Sequence, residues 1–359
     1  MKKKNRLYAV PYNGTNVDWF IGETLRRAKH IHHVYCELPF PSVLSHMQFM
    51  FQGKGGENER SFFERRLAFL DSCSMFLMKS KGKFKRICPI NAMYYKFDTD
   101  DEFYKFGFEV VNLVGKYSLD GLILTDFRLA RFVRGQLPDL EIHTSCNAYQ
   151  WNIRQMQLWK DIVGVEIFNP PREILRVPSK LKEMHEAGFK LKCLVNEACL
   201  VGCPNSFNHQ MAISLGCLGA MNGCAMSGPG DILRGNFILP RWQKYYDEYV
   251  TVYKISGRNV PNAYPFRTLD AYLSEENGFP LSELFMSGVI YTMDRFLPPE
   301  VKRKITLNIV PDKLLACECK DCSRCRLCDD MMKKIVPQEY WDRFYCLELK
   351  PTVSASSKA

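Results

Sequence analysis

The feature that most constrains this chain is an alternation. Short runs rich in β-branched and aromatic residues recur along it, separated by helix-length stretches, and nearly every run ends on a polar residue. The runs occupy residues 6–10, 32–35, 86–90, 121–124, 141–144, 165–168, 190–195 and 250–255. Between them, residues 61–77 and 101–114 carry apolar side chains at helical spacing. Parallel strands need a long crossover, usually a helix, so this order specifies parallel pairing. Eight such runs favour closure into a TIM-like (β/α)8 barrel over an open doubly wound sheet. A chain of 359 residues, 46% hydrophobic, is sufficient for one large core of this kind.

Two regions depart from the alternation. Residues 199–249, between the seventh and eighth runs, are too long for a plain βα connection, and long barrel insertions usually carry function. After the eighth run, residues 265–296 read as helical and residues 305–309 as a short extra strand. The expected organisation is a barrel domain over 1–300 that includes the insertion, a Cys-rich metal-binding segment over 301–350, and a disordered tail of small polar residues over 351–359.

In a parallel barrel the C-terminal strand ends form the active-site mouth. The polar residues just after the runs are Asn13, Glu37, Asn91, Asp126, Asn147, Asn169, Asn196, Glu197 and Arg258. Each alone is an ordinary turn or helix-cap residue. As a set they are expected to converge. Asp126, Asn147, Glu173, Asn196 and Glu197 are the candidate catalytic residues, with Asp126 or Glu197 orienting substrate or moving protons. Asn13 and Arg258 are the candidate substrate-binding residues. A guanidinium can pair two oxygens of a carboxylate or phosphate at once.

Fifteen cysteines need an explanation. No apolar signal segment follows Met1-Lys2-Lys3-Lys4, and no run approaches the ~18 apolar residues of a membrane span. The expected location is therefore cytoplasmic, where cysteines serve metal or redox chemistry rather than disulfides. Cys317, Cys319, Cys322, Cys325 and Cys328 fall within twelve residues. The spacing of Cys322, Cys325 and Cys328 lets successive thiolates turn toward one metal centre, and Lys320, Arg324 and Arg326 would favour the thiolate forms. Cys199 and Cys203 lie at the end of the seventh run. They could supply half of a four-cysteine site, completed by Cys319, Cys322, Cys325 or Cys328 folding back over the mouth. Spacing alone leaves zinc and an iron–sulfur cluster both open. The same loop matches a radical-SAM cysteine triplet only in part, because Ser206 stands at the third position. His209, nearby, is a further candidate ligand or proton donor.

Several segments together resemble a known family. They are Asp120-Gly-Leu-Ile-Leu-Thr-Asp126, Leu137-Pro138-Asp139-Leu140-Glu141-Ile142-His143-Thr144-Ser145, Asn196-Glu197-Ala198-Cys199-Leu200 and Tyr253-Lys254-Ile255-Ser256-Gly257-Arg258. The pattern, over roughly residues 85–260, resembles peptidase family U32, the collagenase-like proteins. The resemblance implies a barrel and a 4Fe–4S cluster. Despite the family name, it also implies oxygen-independent hydroxylation, or a related redox modification, of an RNA base or a small aromatic or anionic metabolite. Prephenate is implicated as the oxygen donor in several members. An electron-transfer partner or a second family member would then be expected.

The residues leave two other readings open. The net charge of +10 suits an anionic partner, and the aromatics between Trp242 and Tyr249 permit base stacking, so a cluster- or zinc-stabilised nucleic-acid-binding or assembly protein without catalysis is one. A true protease is the other, although neither Gly-x-Ser-x-Gly nor His-Glu-x-x-His occurs.

Overall fold

The strands are Tyr8–Pro11 (β1), Ile31–Tyr35 (β2), Arg86–Ile90 (β3), Gly121–Leu124 (β4), Glu141–Thr144 (β5), Leu191–Leu194 (β6) and Val250–Lys254 (β7). They pair in the order β5-β4-β3-β2-β1-β7-β6, and every neighbouring pair is parallel. The computed structural model describes residues 5–39, 59–95, 97–197, 199–215, 228–258, 260, 263–275, 278–285, 297–315, 317 and 322–345.

The remaining sequence run, residues 165–168, joins the two edges of this curled sheet. Toward β5, the Glu166 amide donates to Ile142 O (3.0 Å) and the Thr144 amide to Ile167 O (3.1 Å). Toward β6, the Phe168 amide donates to Lys190 O (2.8 Å) and the Lys192 amide to Phe168 O (2.7 Å). Only single parallel bridges result, His143 with Ile167 and Phe168 with Leu191, so the expected full strand is corrected to one bridge on each side. Pro170 and Pro171 follow at once and have no amide hydrogen to extend a ladder. The circuit nevertheless visits all eight runs in sequence order, as the alternation required.

The short strands are buried on both faces, as in parallel sheets covered by helices. Ala9, Tyr35, Ile87, Ile123, Ile167 and Val252 form a small apolar cluster of their own inside the barrel. The larger core lies beneath helices whose starts were written in the sequence. Helix α1 (Val17–Arg26) is capped by Asn16, α2 is Glu59–Lys79, α3 (Asp100–Tyr117) is capped by Thr99, α4 (Phe127–Gln136) by Asp126 and α5 (Ile153–Val163) by Asn152. One glycine is required by close approach. A Cβ on Gly121 would overlap the carbonyl oxygen of Glu141 on the neighbouring strand. Gly121→Ala should destabilise the barrel by about 1–3 kcal/mol, read as a lower urea midpoint with an unchanged slope.

The lumen also holds a column of buried polar groups. His143 Nε2 lies 2.6 Å from Glu141 Oε1, and His143 Nδ1 accepts from Lys192 Nζ at 2.8 Å. Glu141 in turn pairs with Lys85 (2.6 Å), and the Nδ1 atoms of His32 and His33 are 2.8 Å apart. A cavity of about 410 Å³ opens below this column, lined by His32, Lys85, Asp139, Glu141, Glu166, Ile167, Lys190 and Thr251. These residues stand at the N-terminal ends of the strands, the face of such barrels associated with stability rather than chemistry.

The C-terminal third corrects two expectations. The helix expected over 265–296 is α8 (Tyr264–Ser274), ended by Glu275 in the left-handed region at φ 56°; one helical turn, Leu281–Leu284, follows, and residues 286–296 lie outside the described residues. The strand expected over 305–309 is a single antiparallel bridge, Pro280 with Thr306, followed by a 3-10 turn at Leu307–Ile309. Pro280 cannot donate to a longer ladder.

In the insertion, Leu200 bridges Gly235, helix α7 spans Ser206–Ser214, and Trp242 and Tyr246 are fully buried; residues 216–227 lie outside the described residues. Helix Leu327–Lys333 packs on the 3-10 turn Pro229–Arg234, where Arg234 pairs with Asp329 at 2.8 Å. Cys328, Met332, Val336 and Trp341 belong to the same continuous apolar cluster as the barrel's outer core. The tail 351–359 lies outside the described residues. Among the described residues no helix is long and apolar enough to cross a membrane.

Candidate functional site at the barrel mouth

Arg172 is the centre of the mouth. Pro170 and Pro171 turn the chain after residues 165–168, and the 3-10 turn Arg172–Ile174 begins there. The guanidinium is only 5% exposed. Its Nη2 donates to Asn147 Oδ1 at 2.8 Å and lies 3.4 Å from Cys146 Sγ, while Nε is 3.8 Å from Glu197 Oε2. Asn147 is itself oriented by donating from Nδ2 to Asn91 O at 3.0 Å. Burial works against the charge of Arg172, but Cys146, Glu197 and Cys199 offset this and hold its pKa above the usual value. Nε and Nη1 are buried and, among the described residues, have no hydrogen-bond partner.

Other polar atoms around it share this condition. Glu173 Oε1 accepts from Ser206 Oγ, which lies 3.3 Å from the Tyr149 hydroxyl, but Glu173 Oε2 is buried without a partner among the described residues. So are both amide atoms of Asn169 and of Gln150, Asn91 Oδ1, Thr125 Oγ1 and His209 Nε2. Asn91, Thr125, Gln150 and Asn169 all follow C-terminal strand ends. A buried polar group left unmatched costs about 1–3 kcal/mol; others among the described residues lie away from these strand ends, such as His33 Nε2, Gln243 Nε2 and the Tyr246 hydroxyl.

The structure therefore gathers Asn147, Glu173 and Glu197 around Arg172. The other expected residues make the following contacts. Arg258 forms an ion pair with Glu37 and lies over the Tyr35 ring at 5.8 Å. Asn13 donates to Val260 O at 2.5 Å. Asn196 is saturated: Nδ2 donates to Ser256 O, the Tyr264 hydroxyl and Leu284 O at 3.0, 3.1 and 3.2 Å, and Oδ1 accepts from the Ser256 amide at 2.7 Å. Asp126 caps α4 by accepting from the amides of Arg128 and Leu129 at 2.7 and 3.1 Å. Asp126→Ala should cost about 1 kcal/mol of stability and leave ligand affinity at the mouth unchanged, measurable by urea titration beside a binding isotherm.

Sequence reasoning missed Arg172, Cys146 and Lys254. Arg172 lies four residues past the end of the run at 168, beyond two prolines. Lys254 points inward from β7, opposite Ala9 of the inner cluster, with Nζ 4.6 Å above the Tyr35 ring. Burial pushes its amine down to about 8; Cys146 acts in the opposite sense, and Arg258 and Arg172 add to the depression.

The cysteines divide between two places. Cys199 is felt by Arg172, while Cys317 and Cys328 are felt by Arg176, four residues on. Arg176 is a clasp: Nη1 donates to Leu233 O and Gly235 O at 2.9 and 2.8 Å, and Nη2 to Leu314 O. Residues 229–236 thus carry the Cys328 helix on one side and pair with the Cys199 loop on the other, where the Asn236 amide donates to Cys199 O at 2.7 Å. Cys199 and Cys203 are half-buried, and Cys317 and Cys325 are exposed. Cys319 and the Cys322 side chain lie outside the described residues. Among the described residues no three His, Cys, Asp or Glu side chains gather as a metal-holding group, so the described thiols by themselves do not complete a four-thiolate set. The basic neighbours do not prevail at Cys328. Burial pushes that thiol up to about 11 despite Arg234 and Arg176.

Residues 81–201 match the family model described as peptidase family U32. Over that third of the chain the sequence is similar to this family. The matched segment runs from β3 to the Cys199 loop and carries Cys146, Asn147, Arg172, Glu173 and Glu197. A curated relative, an uncharacterized protease of Methanocaldococcus jannaschii, is 27% identical over 240 residues, 62% of this chain and 68% of the relative. Among solved structures, a U32 peptidase superposes with a TM-score of 0.46 at 10% identity, covering 72% of this chain and 95% of that one. A chain of the tryptophan synthase complex of Pyrococcus furiosus does so at 0.35 and 9%, covering 72% and 89%.

Proposed function

We propose that this chain is a U32-type enzyme that holds a carboxylate- or phosphate-bearing small molecule at its C-terminal mouth and modifies it by oxygen-independent hydroxylation or related redox chemistry. The observation that carries the reading is the buried, charged Arg172 whose Nε and Nη1 have no hydrogen-bond partner among the described residues. An anion arriving there meets two unused charged donors, on separate edges of the guanidinium, in a site of low dielectric, where charge-assisted hydrogen bonds are strongest. Asn147 fixes the plane of the guanidinium. Glu173 and Glu197 flank it, placed to orient substrate hydroxyls or move a proton. Asn169 and Gln150 offer further donors and acceptors to a polar ligand.

The cofactor in this proposal is a 4Fe–4S cluster on cysteines, drawn from Cys199, Cys203, Cys319, Cys322, Cys325 and Cys328. When bound, such a cluster supplies one-electron chemistry. Support comes from the density of thiols and from residues 229–236, which join the Cys199 loop to the Cys328 helix. Anaerobically purified protein should contain about four irons and four acid-labile sulfides per chain. Both Cys199→Ser and Cys328→Ser should lower that content; zinc without sulfide would exclude the redox reading. Full iron in both variants would place the ligands elsewhere.

Peptide hydrolysis is favoured by one observation, the printed name of the M. jannaschii relative. It needs a nucleophile with a base, yet no histidine among the described residues hydrogen-bonds to a cysteine or serine side chain. Hydrolysis of unstructured peptides by metal-free protein would establish it. The non-catalytic RNA-binding reading loses part of its stacking platform, because Trp242 and Tyr246 are buried.

A further inference from the structure

Lys254 has no part in the site as derived so far. It is 7% exposed, projects inward near the C-terminal end of β7, and has neither an ion pair nor a hydrogen bond at Nζ among the described residues. Its surroundings come from several elements: Tyr35 of β2, Cys146 after β5, Arg172 after residues 165–168, Glu197 after β6, Arg258 after β7, and Lys192 deeper in the lumen. Buried lysines are ordinarily paired with a carboxylate or solvated through a hydrogen-bonded head. This one faces an aromatic ring, with two guanidiniums in its vicinity.

We propose that Lys254 is an imine-forming residue and that the ligand class of the mouth is a 2-oxo acid, its carboxylate held by Arg172 and its carbonyl carbon presented to Nζ. A lysine amine is nucleophilic only when unprotonated, and burial beside other cations is the physical means of keeping it so near neutral pH. The lone pair of Nζ forms a C–N bond as the carbonyl π pair moves onto oxygen. One amine proton passes to that oxygen, giving a carbinolamine. Loss of water, with transfer of a second proton from nitrogen to the leaving hydroxyl, forms the C=N bond. Nothing is oxidised or reduced. The carboxylate assigned to carry these protons is Glu197, whose charge acts on Lys254 and which lies 3.8 Å from Arg172 Nε. The Tyr35 ring covers one side of the amine, and its hydroxyl is held away by Ile255 O, which leaves the mouth as the direction of approach.

The inference rests on the reading that Arg172 holds an anion, and the test separates the two. Anaerobic full-length protein is incubated with pyruvate or 2-oxobutyrate and cyanoborohydride, which reduces an imine to a stable secondary amine. Intact mass should show one reduced adduct per chain, and peptide mapping should place it on Lys254. Lys254→Met should abolish it, with a thermal melt confirming the fold. Arg172→Gln should remove most of it. Acetone, which has the carbonyl but no carboxylate, should label poorly. Pyruvate binding that depends on Arg172 in calorimetry, with no adduct on Lys254, would overturn the imine and leave the anion site standing. No Arg172-dependent binding of either 2-oxo acid, and no adduct, would overturn both. Labelling spread over exposed lysines, undiminished in Lys254→Met, would also overturn the assignment.

Discussion

Arg172→Gln is expected to weaken pyruvate binding by on the order of 100-fold while the chain stays folded. Removing one member of a buried, hydrogen-bonded charge contact costs about 2–5 kcal/mol, which spans that change. Glutamine retains an amide donor that can reach toward Asn147 Oδ1, the 2.8 Å contact made by Nη2, so the turn Arg172–Ile174 keeps part of its anchorage. What it lacks is the charge and the two unused donors. Arg258→Gln is the informative companion. Its guanidinium is already paired with Glu37, so its loss should act mainly on stability and change pyruvate affinity far less. Equilibrium binding of both variants checks the assignment; equal losses would mean that the mouth selects anions by its overall field rather than by Arg172.

Acidification from pH 6.5 to 4 is expected to remove several kcal/mol of stability, most of it from the lumen. Burial, with the nearby lysines, pushes His32 down to about 4, His33 well below the usual value and His143 to about 3. Lys192 is pushed well below its usual value by burial and by Lys254. The folded chain therefore keeps these imidazoles neutral where the unfolded chain protonates near 6.5. The unfolded state binds more protons, so stability is full above about pH 6.5 and falls as pH drops toward the folded values. Each deeply buried histidine contributes on the order of 1–3 kcal/mol over that range. Glu141 adds to the loss at lower pH. Burial raises its carboxyl, but the His143 and Lys85 hydrogen bonds prevail and hold it at about 2, so its contribution fades below about pH 4.5. Urea midpoints measured from pH 7.5 to 4 should fall steeply, and His143→Gln should flatten the slope. A midpoint independent of pH between 7 and 5 would show that these histidines are solvated rather than sealed.

The barrel was legible because its signal is repeated. Eight runs with polar exits point to one architecture, and an error at any single run, such as the missing ladder at 165–168, does not alter the circuit. The site was legible only in part. Asn147, Glu173 and Glu197 were named because they follow strand runs, and the same rule named Asp126 and Asn196, whose polar atoms are engaged by a helix cap and by the barrel wall. Position after a strand does not tell a capping side chain from one with atoms to spare. Arg172 was passed over although Glu173, beside it in the same turn, was named. Lys192, His143 and Lys254 escaped because a polar residue at an inward strand position reads as an interruption of an apolar pattern. Which side chains share the lumen depends on parallel registers, such as Ala9 opposite Lys254, that no local pattern specifies.

An anionic substrate is proposed to bind at the C-terminal mouth around Arg172. A crystal structure of the anaerobic protein soaked with pyruvate tests it most directly. The predicted result is a carboxylate within hydrogen-bonding distance of Arg172 Nη1, with Glu173 and Asn169 facing the same molecule. Pyruvate seated instead in the N-terminal cavity beside His32, Lys85 and Lys190, or no bound molecule at saturating concentration, would contradict it.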